Sequence, residues 1–222
     1  MTRQTLPNES AGYRQARNEL LTAEIDLRAR IEQVAAMRRK LPPGGALKQN
    51  YAFEEFGDDT QVRTVKMSDL FEGSKTTLFV YSFMYGPKME RACPMCSSFL
   101  DALDGNARHI AQRISIAVVA RSPVQRIVAF SKERGWKNLR LLSSAHNTYN
   151  IDYLGENATG DQMPMANVFL RRNGSIYHFW GTEMLYAEID GQPRHMDIMW
   201  PLWNVLDTTP EGRGEWYPSL SV

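Results

Sequence analysis

The chain has 222 residues, of which 43% are apolar and 23% charged, and its 26 basic and 25 acidic residues leave a formal net charge of +1. This composition excludes an intrinsically disordered chain, and the near-zero charge gives no electrostatic reason to expect nucleic acid or an anionic membrane as a partner. No apolar run is long enough to span a bilayer, and the first residues lack the pattern of a signal peptide, so we expect a cytoplasmic protein.

A long amphipathic helix is predicted from Asn8 to about Lys40, with Asn8 or Ser10 as its N-cap. Residues 42–45, Pro-Pro-Gly-Gly, end it because they cannot continue a helix. Its apolar positions recur at spacings of three, four or seven and are Tyr13, Ala16, Leu20, Leu27, Ile31, Val34 and Leu41. We assign residues 1–45 to a helical arm, which either packs against its own domain or pairs two subunits as a homodimer.

The middle of the chain alternates strands and helices. Residues 76–87 form the strongest strand pattern, because they are β-branched, aromatic and nearly continuously apolar, as in a strand buried on both faces. Residues 114–120 give a second buried strand. Residues 122–136 follow as a helix with Ser122 as N-cap and Pro123 at its first position. Strands separated by helices predict parallel pairing in this half of the sheet.

The second half of the chain is predicted to be less regular. The segment LRLLSS is a candidate third strand, residues 145–163 are irregular, and residues 166–180 form a hairpin that turns at Asn173-Gly174. The order of elements predicts an α/β sandwich with a mixed central sheet over residues 46–207. Residues 208–222 are assigned to an irregular C-terminal tail.

Both cysteines of the chain, Cys93 and Cys96, lie in the segment MERACPMCSSFL, between the first buried strand and a predicted helix. Pro94 suits the first helical position, so Cys93 is expected at the helix N-terminus, where unpaired N–H groups and the helix dipole stabilise a thiolate. Cys96 follows one turn further along, on the same face. The spacing therefore predicts Cys93 as the attacking sulfur and Cys96 as the shielded resolving sulfur of a disulfide-exchange pair.

Charged neighbours of the pair have mixed effects. Lys88 and Arg91 would stabilise a thiolate, whereas Glu90 would oppose it. Because Met95, between the cysteines, is apolar and brings no positive charge, we expect a mild rather than an extreme effect on thiol acidity. A structural zinc site is an alternative, but it needs two further ligands. His109 has the spacing of the first histidine of a zinc finger, whereas His146 lies far outside the required gap. Structural thiols without chemistry are the other alternative, and we expect no metal and no other cofactor.

The segment FMYGPKMERACPMCSSFLDALDG, preceded by TLFVYSF, resembles a bacterial family of thioredoxin-like proteins of unknown function, often described as predicted dithiol–disulfide oxidoreductases. The opening helix, the segment IAVVARSPVQRI and the C-terminal LDTTPEGRGEWYP are similar to the same family, so the resemblance covers nearly the whole chain. It implies a thioredoxin-like three-layer sandwich with an N-terminal helical extension. It also carries over Cys93 and Cys96 as the presumed redox pair.

Thioredoxin-like folds usually place a cis-proline opposite the cysteine pair, and the resemblance makes Pro164 the candidate. A cis Met163–Pro164 bond would expose the Met163 backbone for pairing with a substrate chain, and an ordinary trans proline at the end of a loop is the alternative. Arg121, at the end of a strand beside the expected cysteine face, either contacts the substrate or the thiolate or is a solvated surface residue.

Three functions compete. The first is a dithiol–disulfide oxidoreductase that acts on a protein or small-molecule disulfide or thiol. The second is a peroxiredoxin-like thiol peroxidase, in which peroxide oxidises Cys93 to a sulfenic acid that Cys96 resolves. Glu90 stands against it, because peroxidatic sites usually have Thr or Ser three residues before the cysteine. The third is a non-enzymatic redox-sensing or scaffold protein whose N-terminal helix and aromatic C-terminal tail bind a partner.

Overall fold

The computed structural model describes residues 5–57, 61–189 and 194–221. Backbone contacts divide the chain after Pro42 into two compact units. In the described part of the chain, no helix combines the length and the apolar character that crossing a membrane requires.

The main element of the first unit is the helix α1, Ala11–Arg39. The Ser10 side chain accepts the backbone N–H of Tyr13 at 3.1 Å and so caps the helix, whose first N–H groups have no partner within it. Arg38 and Arg39 lie in the last turn, where cations stabilise the negative end of the helix dipole. The predicted long helix is confirmed, with Ser10 as its N-cap.

The second unit is built on a mixed sheet. Its strands are β1 Ala52–Phe56, β2 Val62–Lys66, β3 Thr77–Ser82, β4 Ser115–Ala120, β5 Leu141–Ser143, β6 Met165–Arg172 and β7 Ser175–Gly181. Within the described residues they form one seven-stranded sheet in the order β2-β1-β5-β4-β3-β6-β7. The pairs β3–β4 and β4–β5 are parallel and the other pairs are antiparallel, so the predicted mixture of pairings is confirmed.

The interior strand β3, between β4 and β6, is buried on both faces. Successive side chains of a strand point to opposite sides, so its residues enter two different apolar clusters. The helices of this unit are α2 Pro94–Ile110, α3 Val124–Arg134, α4 Tyr149–Asp152 and α5 Pro201–Leu206. Phe79 and Tyr81 belong to an apolar cluster shared with α2, α3 and α5. Leu78 and Val80 belong to a second cluster, shared with α4 and the short turn Met67–Leu70. The helices α2, α3 and α5 pack on one face of the sheet and α4 packs on the other, so the unit has three layers.

β3, α2 and β4 form a parallel βαβ unit that has the two cysteines at the start of its helix. This is the context of a thioredoxin-like redox motif. The predicted α/β sandwich with a mixed central sheet is confirmed. The hairpin is confirmed as well. Its turn residues Asn173 and Gly174 have φ angles of 51° and 77°, the left-handed backbone that two-residue hairpin turns require.

Two local predictions are wrong. Pro123, not Ser122, is the N-cap of α3. The Ser122 hydroxyl instead donates to the Gly86 carbonyl at 3.1 Å, which joins the end of β4 to the loop before the cysteines. The segment 145–163, expected to be irregular, contains α4, because Asn147 Oδ1 accepts the Tyr149 N–H at 2.9 Å just before the helix begins.

Candidate active site

The backbone of Cys93 is held on both sides. Cys93 is the N-cap residue of α2, and Pro94 occupies the first helical position as predicted. The Cys93 N–H donates to the Met84 carbonyl at 3.0 Å. The Cys93 carbonyl accepts the N–H of Ser97 at 3.0 Å and the Ser97 hydroxyl at 2.9 Å. These bonds fix the residue where β3 passes into the helix and leave its sulfur atom available.

The two thiols differ in exposure and acidity. Both are free; Cys93 is half-buried, whereas Cys96 is 2% exposed. A hydrogen bond from the Cys96 thiol lowers the pKa of Cys93 to about 6, and the backbone N–H groups of Cys96 and Met95 contribute in the same direction against the effect of burial. At neutral pH, Cys93 is therefore a thiolate at a helix N-terminus.

The acidity of Cys96 changes in the opposite direction. Burial raises its pKa well above the usual range, and the hydrogen bond to Cys93 and the charge of Cys93 raise it further. Hydrogen bonds from the Tyr81 hydroxyl and from the Met84 backbone partly offset this rise. Cys96 is therefore a neutral thiol that donates to its neighbour while Cys93 is a thiolate.

Tyr81 is a site residue that the sequence analysis missed. It lies on β3, is 1% exposed, and its ring packs against Phe99 of α2 at a centroid distance of 4.8 Å. This contact directs its hydroxyl to Cys96, and burial raises the pKa of Tyr81, so that it stays a neutral donor. The alternation of side-chain direction along β3 could have placed Tyr81 near the cysteines, because residues 79, 81 and 83 all face the helix that carries them.

The main groups that lower the pKa of Cys93 are the Cys96 thiol and backbone N–H groups rather than charged side chains. Arg91 pairs instead with Glu133, with 2.5 Å between guanidinium and carboxylate. The pKa of Cys93, about 6, is lower than the mild effect on thiol acidity expected from the sequence would give, because the Cys96 thiol donates a hydrogen bond in addition to the backbone N–H groups at the helix N-terminus.

Two aspartates of α2 fix the cysteine helix against its surroundings. Asp104 accepts three backbone N–H groups from the loop after α3, at 2.8 to 3.1 Å. Asp101 accepts the indole N–H of Trp136 at 2.7 Å and pairs with Arg134 at 2.5 Å. A carboxylate that satisfies several donors is costly to displace, so these bonds anchor the middle of α2 to the loop after α3.

Met163 and Pro164 lie immediately before β6, in a segment that is internally bonded. The Met163–Pro164 peptide bond is trans, as are all others in the described residues. The Met163 N–H donates to the Gly155 carbonyl at 3.0 Å, and the Pro164 carbonyl lies 3.1 Å from Nε2 of His195. The Met163 N–H and the Pro164 carbonyl are therefore bonded within the protein.

Arg121 follows β4 and is bound by groups of its own chain. Its Nη1 donates to the carbonyls of Ser144 and Asn147, both at 2.8 Å, and its Nε pairs with Glu156 at 2.8 Å. It contributes to the wall of a cavity of about 470 Å³ that is also bounded by Met84, by residues 86–89 and by residues 159–162.

In the described ranges, no group of three or more His, Cys, Asp or Glu side chains is arranged to hold a metal ion. His109, considered as a zinc ligand, lies near the end of α2 in the wall of a separate, mainly apolar cavity.

Comparison with known protein families matches residues 2–221 to the family described as a bacterial protein of unknown function, DUF899. The chain belongs to this family. The resemblance to a bacterial family of unknown function is thereby confirmed. None of the curated proteins compared with the chain matches it.

Several solved structures share the arrangement of the chain at low identity. Thioredoxin peroxidase I of Plasmodium yoelii has a TM-score of 0.47 and 15% identity, over 80% of this chain and 100% of that one. Reduced Prx3 of Vibrio vulnificus in complex with H2O2 has a TM-score of 0.44 and 18% identity, over 61% of this chain and 84% of that one. Peroxidoxin BcpB of Mycobacterium tuberculosis has a TM-score of 0.45 and 15% identity, over 75% of this chain and 98% of that one. At these scores the likeness carries no argument about the chemistry of this protein.

Proposed function

We propose that the protein is a thiol–disulfide oxidoreductase whose redox pair is Cys93 and Cys96. The observation that carries the proposal is the hydrogen-bonded contact between two thiols whose acidities are shifted in opposite directions. The half-buried sulfur of Cys93 is a thiolate at neutral pH, and the buried sulfur of Cys96 is a thiol. Disulfide exchange needs such a pair, because one sulfur attacks the substrate and the other resolves the mixed disulfide.

In the first step, the Cys93 thiolate attacks one sulfur of a substrate disulfide. The substrate S–S bond breaks, one half leaves as a thiolate that takes a proton from solvent, and the other half remains bound to Cys93 as a mixed disulfide. Because the Cys93 backbone is fixed by Met84 and Ser97, the attacking sulfur needs no rearrangement to reach a substrate at the helix N-terminus.

The second step uses Cys96. Once Cys93 is in a mixed disulfide it carries no negative charge, so the two influences of Cys93 that raise the pKa of Cys96 disappear. The donors Tyr81 and Met84 remain, and they stabilise the thiolate that forms when Cys96 gives its proton to solvent. Cys96 then attacks the sulfur of Cys93 and expels the second substrate half as a thiolate.

The balance of one cycle is simple. Two electrons pass from the dithiol to the substrate, two substrate thiols are produced, and a Cys93–Cys96 disulfide is left. An external dithiol reduces this disulfide and restores the pair. In the reverse direction, the oxidised pair would transfer its disulfide to a substrate dithiol.

The test compares the wild-type protein with Cys93→Ser. Reduced wild type should show two titratable thiols that are lost together on oxidation as one intramolecular disulfide, seen by intact mass. With dithiothreitol as the reductant, it should reduce insulin or a dye disulfide, and Cys93→Ser should lower the catalysed rate by at least about 1,000-fold because no thiolate remains at the helix N-terminus.

Asn106→Ala, a change at an exposed position of the same helix, is the matched control and should retain full activity. Disulfide reduction that survives Cys93→Ser would refute the proposal. Rapid consumption of peroxide by a wild type that reduces disulfides only slowly would replace it with a thiol peroxidase.

A further inference from the structure

The cavity of about 470 Å³ adjoins the redox pair. Its wall includes Met84, whose carbonyl accepts the Cys93 N–H at 3.0 Å. Met89 is also part of this wall, and both methionines pack against the apolar cluster that Cys93 contacts. Cys93 itself is not part of the wall, but a molecule in this cavity would contact Met84, the residue to which the Cys93 backbone is bonded. The volume suits a small molecule rather than a folded partner.

Two charged side chains of opposite sign, Lys88 and Asp161, line the cavity. Lys88 belongs to the loop before the cysteines, and Asp161 belongs to the segment that faces this loop. Oδ2 of Asp161 accepts hydrogen bonds from Thr159 Oγ1 at 2.7 Å and Asn157 Nδ2 at 3.2 Å. The charge of Lys88 also acts on Asp161, but the two side chains form no ion pair within the described residues. The other charged groups of the wall, Arg121 and Glu156, neutralise each other at 2.8 Å.

Gln162 adds a buried acceptor without a donor. Its side chain forms part of the wall and the residue is 7% exposed. The amide nitrogen donates to Glu156 Oε2 at 3.1 Å and to the Gly160 carbonyl at 3.4 Å, whereas Oε1 has no hydrogen-bond partner. Leaving a buried acceptor unpaired is unfavourable, so a ligand that brings an N–H group to it gains binding energy.

Gly86 shows how closely this wall is packed. A Cβ atom at position 86 would lie 2.9 Å from Cγ of Gln162, closer than real Cβ contacts allow. The glycine therefore lets the loop before the cysteines close against Gln162. The cavity is thus bounded by a tightly packed buried amide as well as by exposed charges.

We propose that this cavity binds the amino-acid end of a small disulfide, with its carboxylate at Lys88 and its ammonium group at Asp161 and Oε1 of Gln162. This inference rests on the proposed function and names its substrate class: low-molecular-weight disulfides with zwitterionic ends. A zwitterion complements both charges at once, whereas a purely anionic substrate is repelled by Asp161 and a purely cationic one by Lys88.

The reaction follows the cycle above. Cys93 attacks one sulfur of the small disulfide, the first amino-acid thiol leaves, and Cys96 releases the second. One small disulfide and the reduced pair give two amino-acid thiols and the Cys93–Cys96 disulfide, with no further reactant in this half-cycle. An external dithiol completes the cycle.

The experiment uses four disulfides that differ in the charge of their ends: cystine (zwitterionic), cystamine (cationic), 3,3′-dithiodipropionate (anionic) and bis(2-hydroxyethyl) disulfide (neutral). Reduced protein is mixed with each under single-turnover conditions, the reaction is quenched with acid, and the Cys93–Cys96 disulfide is measured by mass. Cystine should react at least about ten-fold faster than each of the other three, consistent with about 1.4 kcal/mol from charge complementarity.

Variants assign the effect to the cavity. Lys88→Met and Asp161→Asn should each lower the rate constant for cystine by about five- to ten-fold and leave the rate for the neutral disulfide unchanged. Lys132→Met, which removes an exposed lysine of α3 outside the cavity, is the matched control and should change neither rate. S-Methylcysteine, which has the same zwitterionic end without a disulfide, should protect Cys93 from alkylation.

The outcomes separate the two proposals. Equal rate constants for cystine and the neutral disulfide, or a Lys88→Met variant that slows all four disulfides equally, would overturn the cavity assignment while the thiol–disulfide function stands. Failure of the wild type to form the Cys93–Cys96 disulfide with any of the four, together with inactivity toward insulin and the dye disulfide, would overturn the proposed function itself.

Discussion

Two facing segments of the second unit both bond their backbone internally, but only one of them carries a reactive side chain. In residues 84–97 the backbone is bonded internally, and the sulfur of Cys93 remains half-exposed as a thiolate. In residues 155–164 the backbone around Met163 and Pro164 is also bonded internally, but no side chain there is poised for covalent chemistry. Under the proposed function, the cysteine segment carries the reacting sulfur atoms and the facing segment bounds the space in which a substrate would lie.

Replacement of the resolving sulfur should have the largest effect. Cys96→Ser keeps the shape of the site but supplies a hydroxyl, which does not attack a disulfide, so turnover with a dye disulfide should fall by at least about 1,000-fold. The first attack by Cys93 should persist. Intact mass should therefore show a stable mixed disulfide on Cys93 after one equivalent of substrate.

A conservative change outside the pair, Ser98→Ala, serves as the control and should leave turnover unchanged. Retained turnover in Cys96→Ser, with no mixed disulfide, would show that the cysteine segment does not contain both reacting sulfurs.

The pH dependence of Cys93 should reveal its thiolate directly. The thiolate is the form present above the pKa, so alkylation by iodoacetamide should be half-maximal near pH 6 and about ten-fold slower at pH 5 than on the plateau. Cys96→Ala removes the donor that lowers the pKa most, so its midpoint should move toward the value of about 8.5 for a free cysteine.

Cys96→Ser keeps an O–H donor and is the matched control for this experiment, because its midpoint should remain closer to that of the wild type. A midpoint near pH 8.5 in the wild type would contradict the hydrogen-bonded arrangement of the two thiols.

Tyr81→Phe should have a smaller effect, and only on the second step. The ring contact with Phe99 is kept, but Cys96 loses a donor that stabilises its thiolate. Loss of one hydrogen bond of about 1 kcal/mol corresponds to about a five-fold slower resolution of the mixed disulfide. Stopped-flow measurement should show the slower second phase, with an unchanged rate of Cys93 alkylation. A slower first phase would instead place Tyr81 in the attack by Cys93.

The sequence specifies the parts of the site that depend on local chain geometry. Pro94 predicts a helix start, a helix start predicts an acidic Cys93, and the apolar run before it predicts β3. What the sequence did not predict depends on long-range packing. The contact of Tyr81 with Cys96 requires knowledge of which face of β3 receives α2. The partners of Arg121 lie 23 to 35 residues further along the chain, and nothing in its neighbourhood predicts them.

We expect the smallest effect on the reaction rates from a change at Pro164, which tests whether the facing segment takes part in substrate binding. Because the Met163–Pro164 bond is trans and the position 164 carbonyl would still face His195, Pro164→Ala should be accommodated and should change the rates of both steps by less than about two-fold. The measurement is the same two-phase reaction with the neutral disulfide, with thermal unfolding to check the fold. A loss of ten-fold or more in a folded variant would mean that the facing segment pairs with the substrate backbone, as in the resemblance to thioredoxin-like proteins, and that its role extends beyond that of a wall.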